Sequence, residues 1–268
     1  MRIVDAHGHL GRWSAFAIAD GSAASLVRVM DRCGVAVACV SHLLGVGPDA
    51  RAGNAALLEA LAAHPGRLLG YAVYHPHDPE APARVRDLLQ VPGVIGVKLH
   101  PEVHRLPLDD PGYAPAFELA AEAGGIVLAH SEYGSACSDP ARFGLVAPRW
   151  PGLPLLMGHS GLWPGAGHAA AVKAAAKCAD IVLETCGSRM TARHLVRLVA
   201  EVGADRVAFG SDAVFLDLRV GLGRVLLAEL TDEQRRWVLH GTIDRLLART
   251  PDHVPGAVAR DGSAEAPS

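Results

Sequence analysis

No run of the 268 residues stays apolar over the roughly 18 positions that a membrane-spanning helix needs, so no span is expected. Charge of one sign is lacking too. The formal net charge is −3 with histidines neutral, and without a basic footprint no nucleic-acid partner is expected. Cysteine is sparse and its spacing unpaired. Cys33, Cys39, Cys137, Cys178 and Cys186 are odd in number and form no C-x-x-C pair, which argues against a structural zinc knot or a disulfide framework. Met1-Arg2-Ile3-Val4-Asp5 runs straight into a strand pattern with no signal-peptide layout, and with the scattered thiols this makes the cytoplasm the expected compartment. Lysine is scarce, since only Lys98, Lys173 and Lys177 contribute to the 25 basic residues, a bias that carries no functional reading. No repeat of fixed period is visible.

What is present is apolar sequence in short, regularly spaced pieces. Hydrophobic residues make up 50% of the chain and charged residues 20%, enough to bury one large core, and the length suits a single barrel domain. Runs rich in Val, Ile, Leu and Ala predict strands at Ile3–His7, Val35–His42, Leu68–Tyr74, Val94–His100, Ile126–His130, Leu155–His159, Ile181–Thr185 and Val207–Asp212. Such continuous runs are expected of parallel strands covered on both faces. Between them lie helical patterns at Ala23–Cys33, Asn54–His64, Pro82–Leu89, Ala114–Ala123, Ala169–Ala179 and Thr191–Val202. From Ala136 to Pro154 four closely spaced prolines leave room only for a short irregular helix. Eight strand–helix alternations predict an α/β fold, a single-domain (β/α)8 TIM barrel over residues 1–250. The Pro/Gly/Ala/Ser-rich tail, 251–268, is expected to be disordered.

The chemistry gathers where the strands end. The first closes on Asp5-Ala6-His7-Gly8-His9, the fifth on His130, the sixth on His159 and the eighth on Asp212. In a barrel these ends open on one face, where active sites are built. Residues two apart in a strand share a face, so His7 and His9 can address one ion. A single histidine closing a buried strand is usually a core or loop-entry residue, and an isolated H-x-H is weak evidence. The joint arrangement carries the argument. Three imidazoles and a carboxylate suit Zn, and less well Mn or Fe.

These motifs resemble the amidohydrolase superfamily, in particular its amidohydrolase-2 branch of metal-dependent hydrolases and non-oxidative decarboxylases. The resemblance rests on Asp5-Ala6-His7-Gly8-His9-Leu10-Gly11, Gly96-Val97-Lys98-Leu99-His100-Pro101, Ala129-His130, Gly158-His159-Ser160-Gly161 and Phe209-Gly210-Ser211-Asp212, and runs from residue 3 to about 249. It implies a metal held by His7, His9, His130 and Asp212, with His159 polarising or protonating the substrate. It implies no particular substrate. Where family members commonly carry Gly-Asn-Ala before the last helix, this chain has Gly241-Thr242-Ile243.

Physically, such a site lowers the pKa of a water, with Asp212 as proton acceptor and His159 as an oxyanion stabiliser or proton donor. Lys98 faces a substrate carboxylate if unmodified, or bridges two metals if carboxylated. The first version is preferred, which gives one divalent metal per chain. His100, Glu184, Trp13 and Arg12 are further candidates for substrate contact, with Phe16, Tyr74, His75, His77, Glu132, Tyr133 and Trp163 on the surrounding loops. Cys186 lacks a convincing partner and is assigned to packing. The expected activity is hydrolysis of a C–N or C–O bond in a small, anionic molecule. The alternatives are decarboxylation on the same site, or a non-catalytic barrel that keeps a metal or ligand. A homo-oligomer is left open.

Overall fold

Alternating burial within the strands sorts their side chains into two layers, and these build the fold. In β3 (Leu68–Val73), Leu69 and Tyr71 join an inner cluster with Val4, Ala6, Ile95, Leu128, Leu156 and Val182. Leu68 and Ala72 join the larger outer cluster with helix residues such as Leu57, Phe117 and Leu198. The period of two places one set inside a barrel and the other under a ring of helices.

The molecule is a computed structural model that describes residues 1–249; the expected disordered tail, 251–268, lies outside them. The strands are β1 (Val4–Leu10), β2 (Val37–His42), β3, β4 (Val94–Leu99), β5 (Ile126–His130), β6 (Leu155–Gly158), β7 (Ile181–Glu184) and β8 (Val207–Ala208). They form one eight-stranded sheet in sequence order, and all pairs are parallel. The helices are α1 (Ala23–Cys33), α2 (Leu43–Val46), α3 (Ala50–Ala63), α4 (Ala81–Leu88), α5 (Pro101–His104), α6 (Ala114–Glu122), α7 (Pro140–Val146), α8 (Ala166–Ala175), α9 (Ala192–Val202), α10 (Leu218–Leu226), α11 (Asp232–Arg236) and α12 (Thr242–Leu247). The (β/α)8 barrel expected from the alternation is therefore the fold. Ile243, Leu246 and Leu247 of α12 pack into the inner cluster and cap one end, so the opposite, C-terminal face is the open one.

Element boundaries differ where side chains, not periodicity, set them. α3 starts before the predicted Asn54 because the Asp49 carboxylate accepts the Ala52 N–H at 2.8 Å. Asn54 itself is buried, its amide paired in both directions with the backbone of Val73 (2.8 and 2.9 Å). α7 is the short helix expected among the prolines, continued by one 3-10 turn. Gly241 lies in a π turn, and the Thr242 hydroxyl donates to Ala204 O at 3.1 Å.

The largest departures are at the first and last strands. β1 runs on to Leu10, so His9 is inside the strand, with a register shift between Asp5 and Gly8. β8 stops at Ala208, so Asp212 is not on a strand. The backbone donors after it turn elsewhere: Phe209 to Val238 O at 2.7 Å, Gly210 to Thr185 Oγ1 at 3.2 Å and Ser211 to Asp5 Oδ1 at 2.9 Å. The barrel still closes against β1, since Phe209 O accepts Ala6 N–H at 2.8 Å and Asp212 N–H donates to His7 O at 2.8 Å.

Strand packing is tight enough to demand glycine at Gly96, where a Cβ would lie 1.9 Å from Ile126 O. Gly96→Ala should cost at least the roughly 1–3 kcal/mol of an overpacked core, a Tm loss of roughly 3–10 °C at this chain length. Gly223→Ala on α10, where a Cβ meets nothing within 4 Å, should instead gain about 0.5–1 kcal/mol. Paired thermal melts decide the matter, and equal melting temperatures for the two variants would contradict the packing described.

Candidate metal centre and substrate cavity

The open face of the barrel is lined by buried polar side chains from several strand ends. His7 and His9 project inward from β1 with their Nε2 atoms 3.2 Å apart. Behind His7, Nδ1 meets Glu184 Oε1 at 3.3 Å; behind His9, Nδ1 meets Ser41 Oγ at 3.0 Å. With each Nδ1–H donated backward, both Nε2 lone pairs face the same point. Asp212 Oδ1 completes a triangle, 3.3 Å from His9 Nε2 and 3.9 Å from His7 Nε2. It is buried and accepts no hydrogen bond among the described residues.

Those separations test the fit of a metal. Ligands about 2.0–2.2 Å from one tetrahedral ion stand roughly 3.3–3.6 Å from each other, close to the edges of this triangle. An orphaned carboxylate oxygen facing two imidazole lone pairs is costly without a cation. The buried Lys98 ammonium already reaches the same place, Nζ lying 2.9 Å from His7 Nε2. The donor set therefore fits a divalent ion. His130 is not part of the triangle. Its ring stacks on His100 at 4.2 Å and meets His159 edge-on at 4.8 Å, on the wall of the same cavity.

Burial dominates the electrostatics. Desolvation holds His7, His9 and His100 well below the ordinary imidazole value, helped at His7 and His9 by the charge of Lys98. It pushes His130 down to about 3 and His159 down to about 4. The same burial lifts Asp212 to about 6 and lowers Lys98 to about 8. The backbone at His159 and Asp212 is left-handed, with φ of 64° and 60°. Such conformations are rare outside glycine and cluster at functional sites.

The cavity above this floor has a volume of about 390 Å³. Lys98, His100, His130, His159 and Asp212 line it, with Trp13 and Phe16 from the loop after β1. Of the other sequence candidates, Arg12 is exposed and does not line it. Glu184 lies beneath it, wholly buried. His75 and His77 pack instead toward His104 (ring centroids 4.5 Å for His75), and Glu132 accepts Trp163 Nε1 at 3.1 Å.

Four contributors were not anticipated. Phe215 packs on His9 (5.2 Å) and Phe16 (4.6 Å), forming an aromatic wall. Arg189, its guanidinium 3.7 Å over the Trp163 ring, supplies the cavity's arginine in place of Arg12. Asp5 accepts from Ser211 Oγ at 2.5 Å and from the N–H groups of Ser211 and His7, and so fixes the segment that carries Asp212. Cys186 does not merely pack: its sulfur lies 2.9 Å from His159 Nδ1 and 2.8 Å from Glu184 Oε1. Of these, only Asp5 left a trace in sequence, inside the Asp-Ala-His-Gly-His string. Phe215, Arg189 and Cys186 reach the site through loops whose course the periodicity does not encode.

A family model described as amidohydrolase matches residues 4–249. No curated protein matches the sequence. Among solved structures, 5-carboxyvanillate decarboxylase from Sphingomonas paucimobilis is 17% identical, with 92% of this chain and 99% of that one covered and a TM-score of 0.73. A dihydroxybenzoic acid decarboxylase from a Polaromonas species, solved with manganese and 2-nitroresorcinol, gives 17%, 92%, 96% and 0.72. A probable 2-pyrone-4,6-dicarboxylic acid hydrolase from Acinetobacter baumannii, with citric acid bound, gives 15%, 92%, 100% and 0.70. At these identities the likeness is one of fold.

The buried histidines make stability depend on pH. Folded values are depressed at His7, His9, His100, His104, His130, His159 and His168. Each contributes stability that is complete above the unfolded value near 6.5 and is lost as pH falls toward the folded one. Asp5, raised to about 7, and Asp212 act in the opposite sense, losing stability as pH rises through their folded values. The histidines outnumber them, so the Tm of metal-free protein should fall steadily from pH 6.5 to 4.5. A Tm that is flat or rising over that range would show that the imidazoles are not desolvated.

Proposed function

The chain belongs to the amidohydrolase family, and from that premise we propose a metal-dependent hydrolase acting on a C–N or C–O bond of a small anionic molecule. The observation that carries this reading is the orphaned Asp212 Oδ1 facing the Nε2 atoms of His7 and His9. Those three residues would hold the metal, with His130 as a fourth ligand from β5. Zinc is the metal proposed, because the donors are imidazole and carboxylate; manganese in one structural relative keeps a harder ion in view. When bound there, a divalent metal supplies Lewis acidity, lowering the pKa of a water and polarising a substrate oxygen.

The chain's own residues would do the rest. Asp212, lifted by burial to about 6, is placed to take a proton near neutral pH and return it to the leaving group. His159 lines the same cavity and would contact the substrate there. Lys98, still cationic at pH 7 with a value of about 8, and Arg189 would bind a substrate carboxylate. Trp13, Phe16 and Phe215 would shield the reacting centre from water and hold a ring or other flat group. His100 completes the wall behind His130, and Glu184 orients His7 from below. Arg12, exposed at the rim, would at most meet the substrate on entry.

The second reading is decarboxylation of an aromatic or unsaturated acid on the same residues. It draws support from the largely apolar wall, where an ionised carboxylate is poorly solvated and its loss is eased. Among the described residues no helix is long and apolar enough to cross a membrane. The five free thiols support the cytoplasm as the compartment.

Elemental analysis of protein purified without chelator should find about one Zn, Mn or Fe per chain, and much less in Asp212→Ala. Two per chain would instead favour a carboxylated Lys98 bridging a pair, and none in the wild type would remove the metal-dependent reading. Against a panel of small carboxylic acids, lactones and amides, the expected products are a new carboxylic acid with an amine or alcohol. Carbon dioxide as the product would assign the decarboxylase instead.

A further inference from the structure

β7 ends in Leu183-Glu184, and the chain runs on irregularly through Thr185-Cys186-Gly187, with the Thr185 N–H still donating to Ala208 O at 3.0 Å. This segment places a thiol beside His159. Cys186 is 1% exposed, and its sulfur lies close enough to a carboxylate oxygen that a hydrogen must stand between them. Three partners surround it: Glu184 Oε1 at 2.8 Å, His159 Nδ1 at 2.9 Å and His7 Nδ1 at 3.3 Å.

One proton cannot serve three partners, and the environment of Glu184 decides where it goes. Both carboxyl oxygens of Glu184 accept donors: Oε1 takes the His159 N–H and, at 3.3 Å, the His7 Nδ1–H, and Oε2 takes the Cys186 N–H at 2.6 Å. Glu184 is thus set as an acceptor, and a carboxylate oxygen outcompetes an imidazole lone pair for a weak S–H donor. The thiol donates to Glu184, which leaves its sulfur lone pairs facing His159. A contact of 2.9 Å between sulfur and Nδ1 is favourable only if Nδ1 carries the hydrogen. His159 Nε2 makes no hydrogen bond to any described residue, and the ring lines the cavity.

We propose that Cys186 is a positioning residue that fixes the tautomer of His159 through the chain Nδ1–H to sulfur and S–H to Glu184, so that a bare Nε2 faces the substrate. The inference rests on the cavity being the substrate site. It changes the role open to His159. A neutral imidazole of this tautomer accepts a hydrogen bond and cannot stabilise an oxyanion, so it selects a substrate with a hydroxyl or N–H at that position.

The same four residues also bring ligand atoms within metal-binding reach of one another. The positioning role is the better supported, because backbone N–H groups already occupy both oxygens of Glu184.

The test is a long-range proton–nitrogen correlation spectrum of histidine-labelled, zinc-loaded or as-purified protein at pH 7, with His159→Gln identifying the resonance. Wild type and Cys186→Ser, whose hydroxyl can relay the same two hydrogen bonds, should both show a protonated Nδ1 and a pyridine-like Nε2. Cys186→Ala should shift His159 toward the Nε2–H form. An Nε2–H tautomer in the wild type, or one unchanged in Cys186→Ala, overturns the proposal. So does a thiolate charge-transfer band on adding cadmium that disappears in Cys186→Ser, since sulfur would then be a ligand. If Cys186→Ala does not fold, wild type and Cys186→Ser still decide. The tautomer is read without turnover, so its outcome is separable from whether the chain proves to be a metal-dependent hydrolase.

Discussion

The buried carboxylate of Asp5 joins the two ends of the barrel, and the site depends on that junction. β8 contributes only Val207 and Ala208 to the sheet, too little to hold the seam by a ladder. Asp5 supplies the missing order. Its oxygens take the Ser211 hydroxyl and the N–H groups of Ser211 and His7, while Asp212 N–H reaches His7 O. Four residues of irregular chain are thus tied to β1, and the side chains that meet over the seam are His7, His9 and Asp212. Gly210 is part of the same construction, because a Cβ there would lie 2.3 Å from Glu184 Oε2. A carboxylate this buried is raised toward neutrality by desolvation, to about 7, and its hydrogen bonds offset only part of that cost.

The second governing constraint is dryness. Imidazoles, a lysine and the Asp212 carboxylate share a space from which water is largely excluded, and burial moves each of them toward its uncharged form. For a metal-binding site this is useful, because only a neutral imidazole has a lone pair to give. The same desolvation lowers the energetic gap between protonated and ionised Asp212, which would suit the proton transfer proposed for it. Strained backbone at His159 and Asp212 belongs to the same compromise, in which local conformational cost is offset by the packing of the whole barrel.

Much of this was legible in the residues. Buried parallel strands read as unbroken apolar runs, and eight of them at regular spacing leave few topologies other than a barrel. His7, His9, His130, His159 and Lys98 could be placed on the open face because a strand's C-terminal end defines it. The limits were equally physical. Arg12 and Arg189 are both exposed loop arginines, and nothing in their neighbours distinguishes the one that lines the cavity from the one that does not. Cys186 looked like packing because its partners, His159 and Glu184, are fixed by the turns after β6 and β7 and not by spacing.

By itself, then, the sequence determined the barrel, its open face and the residue types available there, because strand periodicity and apolar burial are local properties repeated eight times. Tertiary structure alone decided which of those side chains meet. Only the folded seam gathers His7, His9 and Asp212 into one triangle while leaving His130 stacked on His100. Only the folded cavity brings Phe215 and Arg189 to its wall and sets Cys186 beside His159. Such meetings depend on distances between groups far apart in the chain, set by irregular segments whose paths follow from where buried hydrogen bonds can be satisfied.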